Sequence, residues 1–416
     1  MNTAEALDRL LLYRQTPESL LRRLMDPAET VRTAAQAEVV ALAVENGWQG
    51  DLWRCCIAWT LTEHENPFSL SWERRTGPED TLSALALADM AVFHALLSAP
   101  PEEGPWHLLR NFHHESRQGK ESAPLTELAA ALADAASPAA LLDCLTAFYQ
   151  SHGVGQLGLG QVFRVRREAD GVRLLPVRDR PPVRLADLVG YRQQKEQLVR
   201  NTEAFLHGRG GNNVLLYGDA GTGKSTSVQA IANEYAAKGL RLIEVYKEQY
   251  DLIPALLRQI KGRNYRFLLF LDDLSFEEYE IEYKYLKAMI EGGLGRRPDN
   301  VLIYATSNRR HLIREKFSDK RELDDDLHQN DTVQEKLSLV ARFGVTIYYG
   351  APDKREFQQI VRALAARHNL CMPEEELLLK ANQWELSHGG LSGRTASQFI
   401  THLLGTEQIQ EESYGN

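Results

Sequence analysis

One stretch of the chain, residues 213–226, limits what the rest can fold into. It reads Asn-Val-Leu-Leu-Tyr-Gly-Asp-Ala-Gly-Thr-Gly-Lys-Ser-Thr, an apolar run that leads into Gly-x-x-x-x-Gly-Lys-Ser between Gly218 and Ser225. Glycines let the backbone N–H groups of such a loop wrap a chain of phosphates, where a Cβ would clash. Lys224 then reaches the β- and γ-phosphates, and the Ser225 hydroxyl binds Mg²⁺. The stretch predicts a strand, a phosphate-binding loop and a helix that starts at Gly223, and therefore a site for ATP or GTP.

Composition sets wider limits on the fold and the partners. A chain of 416 residues suggests about two or three domains. Its formal net charge of −9 argues against a general coating of nucleic acid. We find no run of about eighteen apolar residues and expect no membrane-spanning segment, and the acidic, helix-like start of the chain is unlike a signal peptide. The four cysteines lack the spacing of a zinc site or a disulfide framework, so we expect reduced thiols in a cytoplasmic protein.

Residues 1–150 have the apolar spacing of helices throughout. We expect helices at about 7–14, 31–44, 79–98, 105–117, 124–135 and 138–150. This region holds 11 basic and 21 acidic residues, which is the whole acidic excess of the chain. Five of the six tryptophans lie between Trp48 and Trp106, and we expect them to be core anchors rather than a recognition surface. The sequence of this region does not reveal its function.

A glycine-rich connection, residues 151–160, separates the helical region from a segment with strand-like alternation. Two alternating apolar patterns follow, at 161–166 and 172–177, and the Ala-Asp-Gly between them predicts a β-hairpin. The hairpin region is rich in arginine: Arg164, Arg166, Arg167, Arg173, Arg178, Arg180 and Arg184. These side chains could form a surface for nucleic acid or an acidic partner, or they could simply be the wet face of the hairpin, which is the interpretation that we favour.

Strand and helix patterns alternate from residue 184 onward, as in a parallel sheet with its chemistry at the carboxyl edge. After the phosphate-loop strand, further strands are expected at 240–246, 265–271 and 300–308, with a helix at 277–291. The run at 265–271 ends in two carboxylates, Asp272 and Asp273. Asp272 would complete the shell of a Mg²⁺ ion, and Asp273 would orient or deprotonate an attacking water.

Five motifs, in this order along the chain, resemble those of the AAA+ ATPases. They are residues 218–225 as Walker A, 269–273 as Walker B, 304–308 as sensor 1, 340–344 as the arginine-finger box and 389–394 as sensor 2. The amino-acid sequence of these motifs resembles that of a prokaryotic AAA+ ATP-binding family of unknown function, over roughly residues 140–405. The resemblance implies an α/β P-loop AAA+ core whose parallel sheet has the strand order 5-1-4-3-2, with a small helical lid. We therefore expect four regions: an all-α N-terminal domain at 1–150, the connection and hairpin at 151–183, the ATPase core at 184–351 and the lid with its tail at 352–416.

The resemblance also implies a role for each residue at a matching position. Asn308, as sensor 1, and Arg394, as sensor 2, would contact the γ-phosphate or the lytic water, while Arg342 would reach the ATP of a neighbouring subunit. Most AAA+ enzymes have Glu where this chain has Asp273, so hydrolysis is expected to be slow unless Glu277 or Glu278 substitutes. The segment that cradles adenine would be Val189, Gly190 and Tyr191. The phosphate loop would comprise Gly218, Asp219, Ala220, Gly221, Thr222, Gly223, Lys224, Ser225 and Thr226, with Ser225 and Asp272 at the Mg²⁺.

Two functions stay open at this point. In the first, a homo-oligomeric ATPase remodels an unidentified protein or nucleoprotein partner. In the alternative, a slow-hydrolysing, nucleotide-dependent switch or loader recruits partners through residues 1–150. A metabolite kinase is disfavoured because it would not need an arginine-finger box. Nucleic acid is not indicated by the net charge, and no membrane is expected. The charged segment 315–331 is expected to be a mobile loop, and the basic cluster at 309–316 is either a contact surface or solvated.

Overall fold

A computed structural model describes residues 6–77, 81–101, 104–114, 123–168, 171–177, 180, 182–274, 298–308 and 342–414. The chain divides into two compact units, Met1–Leu159 and Gly160–Asn416. The expected helix at 277–291, Glu277, Glu278, the basic cluster at 309–316 and the segment 315–331 all lie outside the described residues.

The first unit is built from helices. Its described helices are α1 (Leu20–Leu24), α2 (Glu29–Asn46), α3 (Leu52–Glu63), α4 (Pro67–Glu73), α5 (Thr81–Ser98), α6 (Trp106–Leu109), α7 (Ala123–Ala133), α8 (Pro138–Ser151) and α9 (Gln156–Leu159). Helix α2 ends where the sequence predicts, because Gly47 takes the left-handed conformation at φ 69°. Helices α3 and α8 begin at side chains that accept backbone N–H groups of the first turn, Asp51 and Ser137.

Two of the predicted helices in this unit are wrong in part. Over its described residues, 105–114, the expected helix at 105–117 is a single turn, because Phe112 exchanges two backbone hydrogen bonds with Gly50 at 2.8 and 3.0 Å. The expected helix at 7–14 is not helical from residue 10 onward. The N–H groups of residues 11–13 donate instead to the carboxylate of Asp89 at 2.8–3.2 Å. In both places a distant partner supplies the hydrogen bonds that a helix would have made within itself.

Helix α5 is an exception to the expectation that the chain has no apolar run of about eighteen residues. Among the described residues it is the one helix long and apolar enough to cross a membrane, with a mean hydropathy of 1.5 over Thr81–Ser98. Met90, Phe93 and Leu96 on this helix are fully buried in the core of the unit. The same helix carries the buried Asp89.

The tryptophans of this unit are core residues, as predicted. Trp48, Trp53 and Trp106 are at most 2% exposed, and Trp59 and Trp72 pack partly buried against the same core. The indole N–H of Trp53 donates to the carbonyl of Leu96 at 3.0 Å. The four cysteines of the chain are free, and burial raises the pKa of Cys55 and of Cys56 to about 12.

The second unit contains one seven-stranded sheet. Its strands are β1 (Val162–Glu168), β2 (Gly171–Pro176), β3 (Val214–Gly218), β4 (Leu240–Glu244), β5 (Arg266–Leu271), β6 (Val301–Ser307) and β7 (Val345–Tyr349), in the order β2-β1-β4-β5-β6-β3-β7. Counted from the phosphate-loop strand β3 as strand 1, the last five strands have the order 5-1-4-3-2, which confirms the predicted core. The predicted hairpin is confirmed too, but its joining the sheet was not predicted. Strand β1 pairs in parallel with β4, the outermost of the five core strands on that side.

Several arginines of the hairpin are exposed and paired with acidic side chains. Four of them are 50–61% exposed, in the pairs Arg164–Glu244, Arg166–Glu168, Arg173–Glu168 and Arg167–Asp251. Such exposed pairs contribute little to stability. Arg178 lies outside the described residues. The exposed pairs are compatible with the favoured interpretation, a solvated face of the hairpin, and a surface for nucleic acid or an acidic partner stays the alternative.

Helices cover the sheet and form a separate small core. The described helices of this unit are α10 (Arg192–Leu206), α11 (Lys224–Tyr235), α12 (Ile253–Ile260), α13 (Lys354–Arg367), α14 (Glu374–Ser387) and α15 (Gly393–Tyr414), with short 3-10 turns at Leu185–Asp187, Ala236–Lys238 and Lys247–Leu252. Helices α10 and α11 bury apolar side chains against one face of the sheet. Helices α13 to α15 form the lid, whose own core contains Phe357, Val361, Ala381 and Phe399.

Candidate nucleotide-binding site

The loop between β3 and α11 has a backbone that only glycine permits at two points. Gly218 has φ 134°, and a Cβ there would collide with the carbonyl oxygen of Tyr349. Gly223 has φ 90° and precedes the first turn of α11. A Cβ on Gly223 would lie 2.7 Å from the side chain of Leu188. The sequence Gly-x-x-x-x-Gly therefore forms a tight loop at the N-terminus of a helix, where free N–H groups attract anions.

Lys224 is held inside this loop. Its ammonium group donates to the carbonyl oxygens of Gly218 at 3.0 Å and Asp219 at 2.6 Å, and the residue is 5% exposed. Burial lowers the pKa of Lys224, and the carboxylates of Asp219, Asp273 and Asp272 oppose that shift. Its hydrogen-bond partners among the described residues are carbonyl oxygens, and a partly desolvated cation of this kind suits a phosphate oxygen.

Asp272, directly after β5, accepts two hydroxyl groups on one oxygen. Ser225 Oγ, from the first turn of α11, donates to Asp272 Oδ1 at 2.6 Å. Thr306 Oγ1, from β6, donates to the same Oδ1. Three elements therefore meet at the carboxyl edge of the sheet. Carboxylate and hydroxyl oxygens are the hard ligands that Mg²⁺ prefers, so the residues present fit this ion.

The next carboxylate, Asp273, lies beside Asn308. The amide of Asn308 donates to Asp273 Oδ1 at 2.8 Å, and both side chains are exposed. Asp273 has φ 52°, in the left-handed region, and its N–H donates to Thr306 Oγ1 at 2.9 Å. The structure therefore brings together the predicted water-orienting residue and the predicted sensor. Sequence reasoning gave no role to Thr306, although its position two residues before Asn308 in a strand places both on one face.

The segment expected to cradle adenine lies between two apolar cores. Leu188 and Tyr191 pack against the core of the sheet, and Val189 packs against the core of the lid. Gly190, between them, is exposed and has φ 77°. Apolar surroundings of this kind suit a flat base.

Tyr191 ties this segment to the connection between β7 and the lid. Its hydroxyl donates to the carbonyl of Gly350 at 2.9 Å, and its ring stacks on Tyr349 with the centroids 5.1 Å apart. Burial raises the pKa of Tyr191 to about 12, so the phenol keeps the proton that it donates.

The phosphate loop holds the same connection from the other side. The N–H of Asp219 donates to the carbonyl of Tyr349 at 3.0 Å, and Asp219 Oδ2 accepts the N–H of Ala351 at 2.8 Å. Thr222 Oγ1 donates to the Asp219 carbonyl at 2.8 Å and is buried. Ala220 is exposed, and Thr226 is half-buried in the first turn of α11.

Arg394 of the lid lies at the phosphate loop. Its backbone N–H donates to the carbonyl of Gly221 at 3.2 Å, in the first turn of α15. Its guanidinium charge contributes to lowering the pKa of Lys224. The charges of Lys224 and Arg394 therefore lie close enough to interact, and the sensor 2 role of Arg394 stays a prediction.

Arg342 lies at the other end of β7. It is half-buried in the turn that precedes the strand, whereas the phosphate loop meets Tyr349 at the carboxyl end. A five-residue strand separates the two ends by roughly 17 Å. The backbone of Arg342 is thus distant from the phosphate loop of its own chain.

Comparison with known proteins is decisive for one part of the chain. Residues 160–407 match the model of a family described as "Protein of unknown function (DUF815)". The chain belongs to this family. The DUF815 match begins at the hairpin and covers the whole site described above, and it does not reach the helical first unit. Together with the phosphate loop and the strand order of the sheet, it makes the chain a member of the AAA+ superfamily.

Curated relatives and solved structures are similar over shorter or more divergent stretches. The Replication factor C large subunit of Methanococcus maripaludis is 33% identical over 99 residues, which is 22% of this chain and 20% of the relative. That of Staphylothermus marinus is 40% identical over 65 residues, 15% of each chain. The chain thus spans a fifth or less of the length of these relatives. A solved structure of the Thermotoga maritima RuvB Holliday junction branch migration motor gives a TM-score of 0.39 at 16% identity, covering 55% of this chain and 67% of that one.

Proposed function

We propose that this chain binds Mg·ATP and hydrolyses it slowly, and that hydrolysis drives the remodelling of a protein or nucleoprotein partner. One observation carries the proposal. The hydroxyls of Ser225 and Thr306 meet on one oxygen of Asp272, beside a buried Lys224 whose partners are carbonyl oxygens. A phosphate-binding cation and a set of hard oxygen ligands thus lie together at one edge of the sheet.

Two segments bind different parts of ATP in this proposal. The N–H groups at the start of α11 and the ammonium of Lys224 hold the phosphates. Val189, Gly190 and Tyr191 hold the adenine between the sheet and the lid. Ser225 and Asp272 hold Mg²⁺, which neutralises charge on the phosphates when it is bound.

Asp273 orients the water and accepts its proton. The water oxygen forms a bond to the γ-phosphorus as the bond to ADP breaks, and the proton passes to the Asp273 carboxylate. Asn308, at 2.8 Å from that carboxylate, fixes its direction. Arg394 stabilises charge on the γ-phosphate from the lid. Because the Asp side chain is one methylene shorter than Glu, its reach to the water is limited, and we expect slow turnover.

Assembly into a homo-oligomer follows from the position of Arg342. Its backbone lies about one strand length, roughly 17 Å, from the phosphate loop of its own chain. An arginine that stabilises the transition state from that position acts on a neighbour's ATP. The name of the relatives, a large subunit, is likewise that of one part of an assembly. We also propose a cytoplasmic location, since the four cysteines are free thiols.

A slow switch is the second candidate, and one observation favours it. The hydrogen bond from Asn308 occupies one oxygen of Asp273, so the carboxylate is engaged rather than directed freely at water. In this version ATP binding, not hydrolysis, changes the state of the protein, and residues 1–150 recruit the partner. Turnover that rises on addition of a partner supports remodelling, and turnover that stays slow favours the switch.

Calorimetric titration with Mg·ATP tests the proposal. Lys224→Ala should weaken binding by roughly a hundredfold, the size of a lost hydrogen bond to a charged group. Lys261→Ala, at the exposed end of α12, is the matched control and should bind as the wild type does. Wild-type affinity in Lys224→Ala would overturn the assignment of the site.

A further inference from the structure

Thr306 is a buried polar residue near the end of strand β6. It is 2% exposed and lies next to the site, on β6. The pairing of Leu271 with Ala305 sets the next residue of each strand, Asp272 and Thr306, side by side. A buried hydroxyl needs partners, and among the described residues those of Thr306 lie in the segment that follows β5.

Three consecutive residues are tied to Thr306. Its hydroxyl donates to Asp272 Oδ1 and accepts the N–H of Asp273 at 2.9 Å, and its carbonyl accepts the N–H of Leu274 at 2.6 Å. A backbone N–H can only donate, so the single hydroxyl proton is available for the carboxylate. The direction of both side-chain hydrogen bonds is therefore determined.

We propose that Thr306 is a positioning residue that fixes Asp272 for Mg²⁺ and holds Asp273 toward the attacking water. This inference rests on the proposed function. Ser225, the other donor to Asp272 Oδ1, must itself face the ion. Thr306 does not bind the ion in this proposal, so its hydroxyl is free to set the orientation of the Asp272 carboxylate. Partners of this kind orient metal-binding side chains and strengthen metal binding.

Thr306 acts on Asp273 through the backbone. Asp273 has φ 52°, a conformation that costs energy for residues other than glycine and persists only where surrounding contacts hold it. The hydrogen bond from its N–H to Thr306 supplies such a contact. In that conformation the carboxylate meets Asn308. Loss of the Thr306 hydroxyl therefore removes one hydrogen bond that holds Asp272 and one that holds Asp273.

Thr306→Val removes the hydroxyl and keeps the shape, and Thr306→Ser keeps the hydroxyl. Calorimetric titration with ATP in excess Mg²⁺, and again in EDTA, separates the effect of the ion from folding and from binding of the nucleotide itself. In Thr306→Val the gain in affinity due to Mg²⁺ should fall by roughly tenfold or more. Affinity in EDTA should not change, and Thr306→Ser should restore the gain.

The matched control is Thr346→Val, an exposed threonine on β7 of the same sheet. Its Mg²⁺-dependent gain should equal that of the wild type. Thr306→Ala, which removes the hydroxyl without adding a second methyl group, gives the same test if the valine variant does not fold.

The outcomes distinguish this inference from the proposed function. A wild type whose ATP affinity does not depend on Mg²⁺ contradicts the proposed function, and the inference fails with it. A wild type with a clear Mg²⁺-dependent gain that Thr306→Val and Thr306→Ala both keep overturns the role of Thr306 alone. A loss in Thr306→Ser as large as in Thr306→Val also overturns it, because the hydroxyl would then not be the active group.

Discussion

Two aspartates, one in each unit, accept several hydrogen bonds and differ in what donates to them. Asp89 is 2% exposed and accepts the backbone N–H groups of residues 11–13 at 2.8–3.2 Å. Asp272 is exposed and accepts the hydroxyls of Ser225 and Thr306. Backbone N–H groups follow the path of the chain, whereas hydroxyls rotate and keep lone pairs for an ion. Asp89 therefore holds a fold, and Asp272 is available for chemistry.

This difference in donors indicates which polar clusters have a function beyond stabilising the fold. A carboxylate whose donors all belong to the backbone has no partner that could be exchanged for a ligand. An exposed carboxylate that accepts side-chain hydroxyls, at a sheet edge beside a buried lysine, has several. We expect substitutions in the first class to lower the free energy of unfolding, and substitutions in the second class to lower ATP turnover.

The largest effect that would sharpen this contrast is expected at Arg342. If it stabilises transition-state charge in a neighbour's site, Arg342→Ala should lower turnover per subunit by about a thousandfold, within the range of such arginines. Its free energy of unfolding should stay near that of the wild type. Steady-state phosphate release at several protein concentrations measures the first quantity, and the wild-type rate per subunit should rise with concentration as chains associate.

Mixing variants separates action on a neighbour from a structural role. Inactive Arg342→Ala and inactive Lys224→Ala should regain some activity together, because each supplies what the other lacks. Arg362→Ala, on the exposed face of the lid helix α13, is the control and should leave turnover unchanged. Concentration-independent turnover with no rescue on mixing would show that Arg342 is structural.

The next effect tests Asp89 against Asp272 directly. Asp89→Ala leaves three N–H groups without their acceptor and should cost about 3 kcal/mol of unfolding free energy. Asp272→Asn, at an exposed position, should change it by less than about 0.5 kcal/mol. Urea unfolding followed by tryptophan fluorescence reports the first unit, which holds five of the six tryptophans.

Asp143→Ala, an exposed change in the same unit, is the control for Asp89→Ala and should leave the midpoint unchanged. An Asp89→Ala protein as stable as this control would break the contrast, because the carboxylate would then not hold the segment at residues 11–13.

A smaller effect is expected at Asp273, which tests whether the exposed carboxylates act on turnover. Asp273→Asn should lower turnover by about a hundredfold, the contribution of a general base, and leave Mg·ATP bound. Asp273→Glu restores the length usual in the superfamily and should raise turnover. Unchanged turnover in Asp273→Asn would move the role to Glu277 or Glu278, or make hydrolysis incidental.

Local patterns were sufficient to predict most of the core and several site residues. The phosphate loop, Asp272, Asp273 and Asn308 each follow an apolar run in a pattern of fixed spacing, and the strand order follows from the family resemblance. Their roles stay predictions. Thr306 was missed because its role depends on the register between β5 and β6, where Leu271 pairs with Ala305. No local pattern carries that register.

The features that were missed or wrongly predicted have the same physical origin. The hairpin strand β1 joins β4 through pairs such as Val162 with Leu242, far apart along the chain. The expected helix at 105–117 ends early because Phe112 bonds to Gly50. Hydrogen bonds between distant segments override the local preference for a helix, and helical spacing alone does not reveal them.

The smallest effect compares one tyrosine hydroxyl in each unit. Tyr191→Phe removes the hydrogen bond to Gly350 at 2.9 Å and keeps the ring that stacks on Tyr349. A neutral hydrogen bond contributes about 1 kcal/mol. ATP affinity should therefore fall roughly fivefold if this contact holds the adenine-binding segment in place. Tyr13→Phe removes a similar contact, to the Tyr149 hydroxyl at 3.0 Å. It should cost about 1 kcal/mol of unfolding free energy and leave ATP affinity unchanged. Equal effects of both variants on ATP affinity would contradict the division between a unit that holds its fold and a site that binds a nucleotide.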